Sequence, residues 1–274
     1  MHSLLGSLVL VGVVFGAAVS AGGQDRMPPI PADKLTATQK KAIEEFKAAR
    51  SVDISGPFVP LLRSPEVMNR ARAMGDYLRY KSSLPPRLSE FVILLTARHW
   101  TQQYEWNAHR PLAQQGGLGA EIVAAIADGR RPDGMAADED AVYTLWEEVQ
   151  RNQSVSDATY ARAVGQVHEQ GVIDVLGITG YYTRLARGMN TTRTPRPDGM
   201  AADEDAVYTL WEEVQRNQSV SDATYARAIG QVKEQGVIDV LGIAGYYTML
   251  AMVMNTTRTP LPDGVTPPLA PLPR

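Results

Sequence analysis

The sequence predicts an all-α fold. Apolar residues recur at the i, i+3, i+4 and i+7 spacing of one helix face, for example in residues 138–150: Val142, Leu145, Trp146 and Val149. No stretch shows the sustained apolar–polar alternation of a half-buried strand. Helix-start signals are also present, since Ser64 precedes Pro65 as an N-cap precedes a first-turn proline. Periodicity, lack of alternation and caps all favour helices.

Four helical segments are predicted before residue 131. Apolar residues on one face support each of them, and the segments are 35–50, 64–82, 89–115 and 119–128. Ser64 and Ser89 are the N-caps of the second and third segments, and Gly116-Gly117 ends the third. We divide this region into an N-terminal linker with one helix (22–63) and a helical core (64–130).

A tandem repeat occupies most of the second half of the chain. Residues 131–195 recur as residues 196–260, with six differences in 65 positions. A solenoid needs three or more stacked repeats, so two near-identical copies do not indicate one. Recent duplication, an assembly error and engineering all fit such identity. Each copy, called the first and the second copy below, is predicted to form three helices; in the first these are 138–150, 157–170 and 171–189.

The six differences between the copies lead to an expectation about packing. They are Val164/Ile229, His168/Lys233, Thr179/Ala244, Arg184/Met249, Arg187/Met252 and Gly188/Val253. The last three lie within two turns of one helix, where the second copy is apolar and the first has two arginines and a glycine. Because unpaired charge is costly in a core, we expect the second copy's last helix to pack into the main domain. The first copy's helix should then be displaced toward solvent.

Both ends of the chain are predicted to lie outside this domain. Residues 1–21 read as a secretory signal peptide, with an apolar run and small residues before a cleavage site after Ala21. We therefore expect a secreted or periplasmic protein with no stable membrane span after cleavage; an uncleaved anchor is the alternative, because the segment lacks Lys and Arg. Residues 261–274 are a proline-rich tail that cannot sustain a helix.

Composition excludes several classes of function. With 27 Lys+Arg against 30 Asp+Glu, the formal net charge of −3 gives no reason to expect a nucleic-acid partner. The chain has no cysteine. Disulfides, cysteine-ligated metals and a thiol nucleophile are therefore excluded, and stability must come from core packing.

The best candidate for chemistry is a Glu/His pair in the third segment. Glu105 and His109 are spaced i, i+4, so on a helix their side chains share a face and the acid can orient the imidazole. Gln102 lies one turn earlier on that face. Glu90 would lie about 22 Å away along a straight helix, so it joins only if the chain reverses near residues 100–102. A solvated pair on a helix surface is the alternative interpretation.

These residues carry a resemblance. Glu90, Gln102, Glu105 and His109, set between Leu88-Ser89-Glu90-Phe91 and Arg110-Pro111-Leu112-Ala113, resemble the signature of the carboxymuconolactone decarboxylase family. That family shares its fold with the alkylhydroperoxidase AhpD, whose signature is a glutamate, then Cys-x-x-Cys, then a histidine four residues later. Here Gln102 and Glu105 occupy the two cysteine positions. Glu105 to His109 is similar to the thiol-free Glu-x-x-x-His version.

The resemblance implies an AhpD-like helical domain with a duplicated three-helix C-terminal unit. It also implies a trimer or hexamer, no metal or organic cofactor, and a small-molecule substrate, a carboxylated lactone that loses CO₂. In that reaction His109 would donate or shuttle a proton, Glu105 would orient it, and Glu90 would be a second acid/base or a hydrogen-bond anchor. The substrate-binding candidates are Gln102, Arg98, Arg110, Trp106 and Tyr247.

Two other functions compete with this hypothesis. An AhpD-type peroxidase requires a peroxidatic cysteine, which this chain does not have. A noncatalytic helical scaffold could keep the fold and use the repeat for assembly. In either copy the paired tyrosines, Tyr181-Tyr182 or Tyr246-Tyr247, are candidates for the pocket wall or for simple packing.

Overall fold

The computed structural model describes residues 25–186 and 199–258, without the side chains of residues 184–186. Their regular structure is entirely helical, which confirms the all-α class. The predicted signal peptide and the proline-rich tail lie outside the described residues, as do Arg187 and Gly188.

Ten α-helices follow a short 3₁₀ turn at Ala32–Lys34. In chain order the helices are α1 (Ala37–Arg50), α2 (Phe58–Leu61), α3 (Pro65–Tyr80), α4 (Pro86–His99), α5 (Gln103–Gln115), α6 (Ala120–Ala127), α7 (Ala137–Asn152), α8 (Asp157–Ala186), α9 (Ala202–Asn217) and α10 (Asp222–Thr257). The four segments predicted before residue 131 correspond to α1, α3, α4–α5 and α6. The sequence analysis missed only the single turn of α2.

Helix α4 is the centre of the domain. Residues 88–97 are buried on every face of the helix, so its apolar run reads as a core helix rather than an amphipathic one. It packs against α3, α5, α6, α7 and α8. The first copy, as α7 and α8, supplies much of this cover: Trp146 donates a hydrogen bond to Thr96, and Arg87 pairs with Asp138 and Glu139.

The expectation that the first copy's last helix is displaced toward solvent was wrong, whereas the second copy's last helix does contact the main domain. The first copy covers α4. The second copy lies outside the first copy, with α10 packed against α8. The apolar side chains unique to the second copy are nevertheless used: Met252 is buried in the main core, and Met249 packs on Gly180, where a Cβ would come within 2.7 Å of it. These methionines therefore pack against α8 rather than α4, which explains why their apolar character does not displace the first copy.

Polar contacts fix the second copy to the N-terminal helices. The Arg63 guanidinium donates to Glu234 at 2.8 Å, and the Ser64 hydroxyl donates to Asp239 at 2.6 Å. Ser64 thus serves α10 rather than capping α3, since no side-chain cap bond forms there. The second copy is anchored to α3 on one face of α10.

Its other face borders an open apolar groove of about 750 Å³ between α9 and α10. The groove is lined by Val207, Tyr208, Trp211, Ile243 and Tyr247, whose counterparts in the first copy are Val142, Tyr143, Trp146, Ile178 and Tyr182. Those counterparts are buried, mostly against α4. Among the described helices, α10 alone is long and apolar enough to cross a membrane by length and composition, and 22% of its most apolar window is buried.

Each copy contains a long helix with one interruption. Helix α8 breaks at His168, with φ 59° and ψ 173°, and α10 breaks at Lys233, with φ 64° and ψ 175°. The three helices predicted per copy are therefore present, and in the first copy the break lies at His168 rather than between residues 170 and 171. Both residues adopt a backbone conformation that favours glycine, at a cost of about 1–3 kcal/mol.

Candidate active site

A tight reversal between α4 and α5 builds the site. Helix α4 ends at His99 and α5 begins at Gln103, with Thr101 at a positive φ of 50° between them. The side chain of Gln102 accepts a hydrogen bond from the Tyr104 amide and so caps α5. The segment predicted as 89–115 is thus two helices, and the reversal on which the approach of Glu90 depended is present. The turn brings Glu90 alongside His109.

His109 is held by three side chains from three helices. Its Nδ1 lies 2.6 Å from Oε2 of Glu90 on α4, and its Nε2 lies 3.4 Å from Oε2 of Glu105 on α5. The hydroxyl oxygen of Tyr182, from α8 of the first copy, lies 3.2 Å from the same Nε2. The Tyr182 ring also meets the imidazole edge to face, at 5.2 Å between centroids. Both imidazole nitrogens therefore have polar partners within the protein.

This cluster is buried. The exposed fractions of His109, Glu105 and Glu90 are 3%, 5% and 7%, so the solvated pair considered above is wrong for this chain. Burial lowers the pKa of His109, but hydrogen bonds to Glu105 and Glu90 raise it by more, and the net pKa lies above 6.5. Burial also raises the pKa of the Tyr182 phenol well above 10. Tyr182 therefore remains a neutral hydroxyl near pH 7.

The hydrogen-bond partners assign different roles to the two nitrogens of His109. Glu90 accepts the Nδ1 proton, which fixes the tautomer of the neutral ring. Nε2 then accepts a hydrogen bond from the Tyr182 hydroxyl. In the protonated ring, the Nε2 proton faces the Glu105 carboxylate and the Tyr182 oxygen. Nε2 is therefore the nitrogen that can gain and lose a proton on the reacting side.

A small cavity lies beside His109. Its volume is about 170 Å³, and its wall includes His109, Glu105, Tyr182, Arg50 and Arg79. Phe46, Phe58 and Leu112 supply apolar wall. Glu105 and Tyr104 also line a wider cleft of about 1200 Å³ that runs toward the N-terminal segment and the second copy. The cavity can take one small molecule beside a buried acid/base cluster.

The structure brings only some of the predicted site residues together. Glu90, Glu105 and His109 converge, and Gln102 lines the wider cleft. Arg98 and Trp106 line a separate small pocket, and Arg98 donates to the Ala127 carbonyl.

Two further predicted substrate contacts lie away from His109. Arg110 is exposed on α5, and its side chain does not line the cavity. Tyr247 has 63% of its surface exposed and lines the α9–α10 groove. Tyr182, its counterpart in the first copy, occupies the position expected for it. The error follows from the exchanged placement of the two copies, because both carry the same Tyr-Tyr sequence.

Arg50 and Arg79 are the cavity cations that the sequence analysis missed. Arg50 ends α1 and Arg79 lies in the last turn of α3, so neither is near the Glu/His motif in sequence. Nothing in their local sequence distinguishes them from exposed arginines. Their role becomes visible only when the packed pair α1 and α3 supplies one wall of the cavity beside His109.

The chain was compared with family models, curated proteins and solved structures, and none of them matches it. Within the two described ranges, no three His, Asp or Glu side chains are arranged to hold a metal ion. Interpretation of the site therefore rests on the geometry of the Glu90, Glu105, His109 and Tyr182 cluster.

Proposed function

We propose that this chain is an enzyme that catalyses cofactor-free acid/base chemistry on a small carboxylated lactone, as in the carboxymuconolactone decarboxylase family. The observation that supports the proposal most directly is the buried contact of His109 with Glu90, Glu105 and Tyr182 at a small cavity. Perturbed titratable groups in a cleft are typical of catalytic sites.

The proposed reaction needs one proton at one carbon. The bond from the ring carbon to the carboxylate breaks, CO₂ leaves, and the electron pair delocalises through the ring onto the lactone oxygen. Protonated His109 then donates its Nε2 proton to carbon, which completes the enol-lactone, and solvent returns a proton to the ring. Its raised pKa keeps a proton available near neutral pH, where a general acid works best.

The other members of the cluster act through His109. Glu90 holds Nδ1 and stabilises the imidazolium before the transfer. Glu105 and the Tyr182 hydroxyl face Nε2, so they direct the proton toward the cavity. Burial of Glu90, Glu105 and His109 strengthens these charge interactions.

Thiol peroxidase chemistry is not proposed, because the chain has no cysteine. A noncatalytic scaffold remains the competing function, and it makes a different prediction: the cluster would contribute to stability, and no carboxylated lactone would be turned over.

Release of CO₂ from a γ-carboxylated butenolide tests the proposal. We expect turnover by the unaltered chain and a loss of about 10²–10⁴-fold in His109→Gln. Glu66→Gln is the control, because Glu66 is an exposed acid on α3 that pairs only with Arg70 among the described residues. Equal turnover by the His109 variant would refute the site, and no turnover by any form would favour the scaffold.

We also propose that the protein is exported and forms a homo-oligomer, on the basis of the apolar N-terminal segment and the family resemblance. Intact-mass measurement of exported protein tests cleavage after Ala21. Light scattering of the purified chain tests the oligomer, and a monomer at micromolar concentration would contradict it.

A further inference from the structure

Arg79 is a cation at the cavity that forms no ion pair with a described carboxylate, although the charge of Glu90 acts on it at longer range. Its guanidinium lines the same cavity as His109 and Glu105. The Nε atom is buried and has no hydrogen-bond partner among the described residues. No described carboxylate forms an ion pair with Arg79, and the group lies 4.9 Å from the centre of the Tyr80 ring. Burying a donor of this kind without a partner costs free energy.

The Nε atom of Arg72 is also buried without a hydrogen-bond partner, but Arg72 and Arg50 each pair with an acid and Arg79 does not. Arg50, which also lines the cavity, donates from Nε to Asp76 at 2.8 Å. Arg72, about two turns before Arg79 on α3, donates to the same Asp76. The carboxylate of Asp76 is thus shared by two other arginines. The Nε donor of Arg79 therefore has no acid as a partner in the described part of the chain.

Two guanidinium groups and one carboxylate line the cavity with His109: Arg50, Arg79 and Glu105. Glu90 contacts Nδ1 of His109 and is not part of the cavity wall, and burial keeps the Tyr181 and Tyr182 phenols neutral. An incoming anion therefore meets two guanidinium groups, and that of Arg79 has an unused donor. Arginine binds carboxylates through parallel N–H donors, which fix orientation as well as charge.

We propose that Arg79 is the anion-recognition residue of this site and binds a carboxylate that stays on the ligand throughout the reaction. Pairing with the departing carboxylate would stabilise the ground state and slow the loss of CO₂, so that group is not its partner. The inference rests on the proposed function for the reaction, but the binding itself is independent of turnover. A cavity of about 170 Å³ limits the ligand to a small acid.

Calorimetry with levulinate and its neutral methyl ester tests this proposal directly. Both probes are small and contain a carbonyl, and only levulinate carries a carboxylate. We expect levulinate to bind the unaltered chain, and to bind Arg79→Gln at least about tenfold more weakly. The ester should bind both forms alike. Arg79→Lys retains the charge without the planar fork and should show an intermediate affinity.

Arg70→Gln is the matched control, since Arg70 lies on the same helix, is exposed and pairs with Glu66. Its levulinate affinity should equal that of the unaltered chain. Circular dichroism and thermal unfolding establish that each variant is folded. Equal levulinate affinity in folded Arg79→Gln, or no preference of the unaltered chain for levulinate over its ester, would overturn the proposal.

Turnover separates this inference from the proposed function. If lactone decarboxylation occurs, Arg79→Gln should raise KM and leave kcat within about threefold, because the contact is equal in ground and transition states. If levulinate binds but no lactone is turned over, the role of Arg79 in carboxylate binding stands and the proposed enzymatic function is refuted. Turnover with an unchanged KM in the variant would refute the role of Arg79 alone.

Discussion

Nδ1 of His109 lies 2.6 Å from Oε2 of Glu90, although 19 residues separate them. The contact joins the two helices on either side of the α4–α5 turn. Both side chains are buried, so removing one of them leaves the other without a hydrogen-bond partner and out of reach of water. The pair is therefore both a structural link between α4 and α5 and the means of orienting the imidazole.

Stability should depend on pH through His109. Its pKa in the folded chain is raised above 6.5, so protonated His109 adds stability that is fully present below pH 6.5. That contribution is lost as pH rises through the folded-state pKa. Urea unfolding from pH 5.5 to 9 should therefore show a decline that His109→Gln lacks. An NMR titration giving His109 a pKa below 6.5 would contradict this.

Tyr182→Phe should destabilise the chain by about 1 kcal/mol, since it removes a hydroxyl that is buried and bonded to Nε2. Tyr247→Phe changes the same position of the second copy, where the ring is largely exposed, and should be within about 0.5 kcal/mol of neutral. Denaturant unfolding of the two variants measures both effects. Equal losses would mean that the copies are interchangeable at the site.

Trp146→Ala should cost about 3–5 kcal/mol, because Trp146 packs on α4 and donates to Thr96. Trp211→Ala removes the corresponding ring from the wall of the open groove and should cost less than about 1.5 kcal/mol. Thermal and urea unfolding provide the comparison. A larger loss for Trp211→Ala would show that the second copy, rather than the first, covers α4.

His168→Gly should stabilise the chain by about 1 kcal/mol, since glycine adopts the local φ of 59° without strain. Gln166→Gly, placed in the regular helix two residues earlier, should instead destabilise by about 1 kcal/mol. Opposite signs in urea unfolding would confirm the break at His168. Destabilisation by both substitutions would indicate a continuous helix.

Local sequence was sufficient for most helices and for the shared face of Glu105 and His109, but the approach of Glu90 depends on the turn between α4 and α5, which the pattern left open. Helical periodicity and caps act over a few residues, and the i, i+4 spacing of Glu105 and His109 needs only a helix. The position of Arg79 depends on how α3 packs against α1, α4 and α8, which no local pattern encodes. The choice between Tyr182 and Tyr247 depends on which of two near-identical copies reaches α4, and six differences in 65 positions gave the wrong answer.

The open α9–α10 groove has a consequence for how the chain acquires its structure. Each chain contains two near-identical surfaces that fit α4 and only one α4, so the two copies compete for it during folding. Synthesis proceeds from the N-terminus, and the first copy leaves the ribosome before the second exists. The order of synthesis therefore favours the observed arrangement kinetically. Refolding from denaturant, in which both copies are present from the start, removes that advantage.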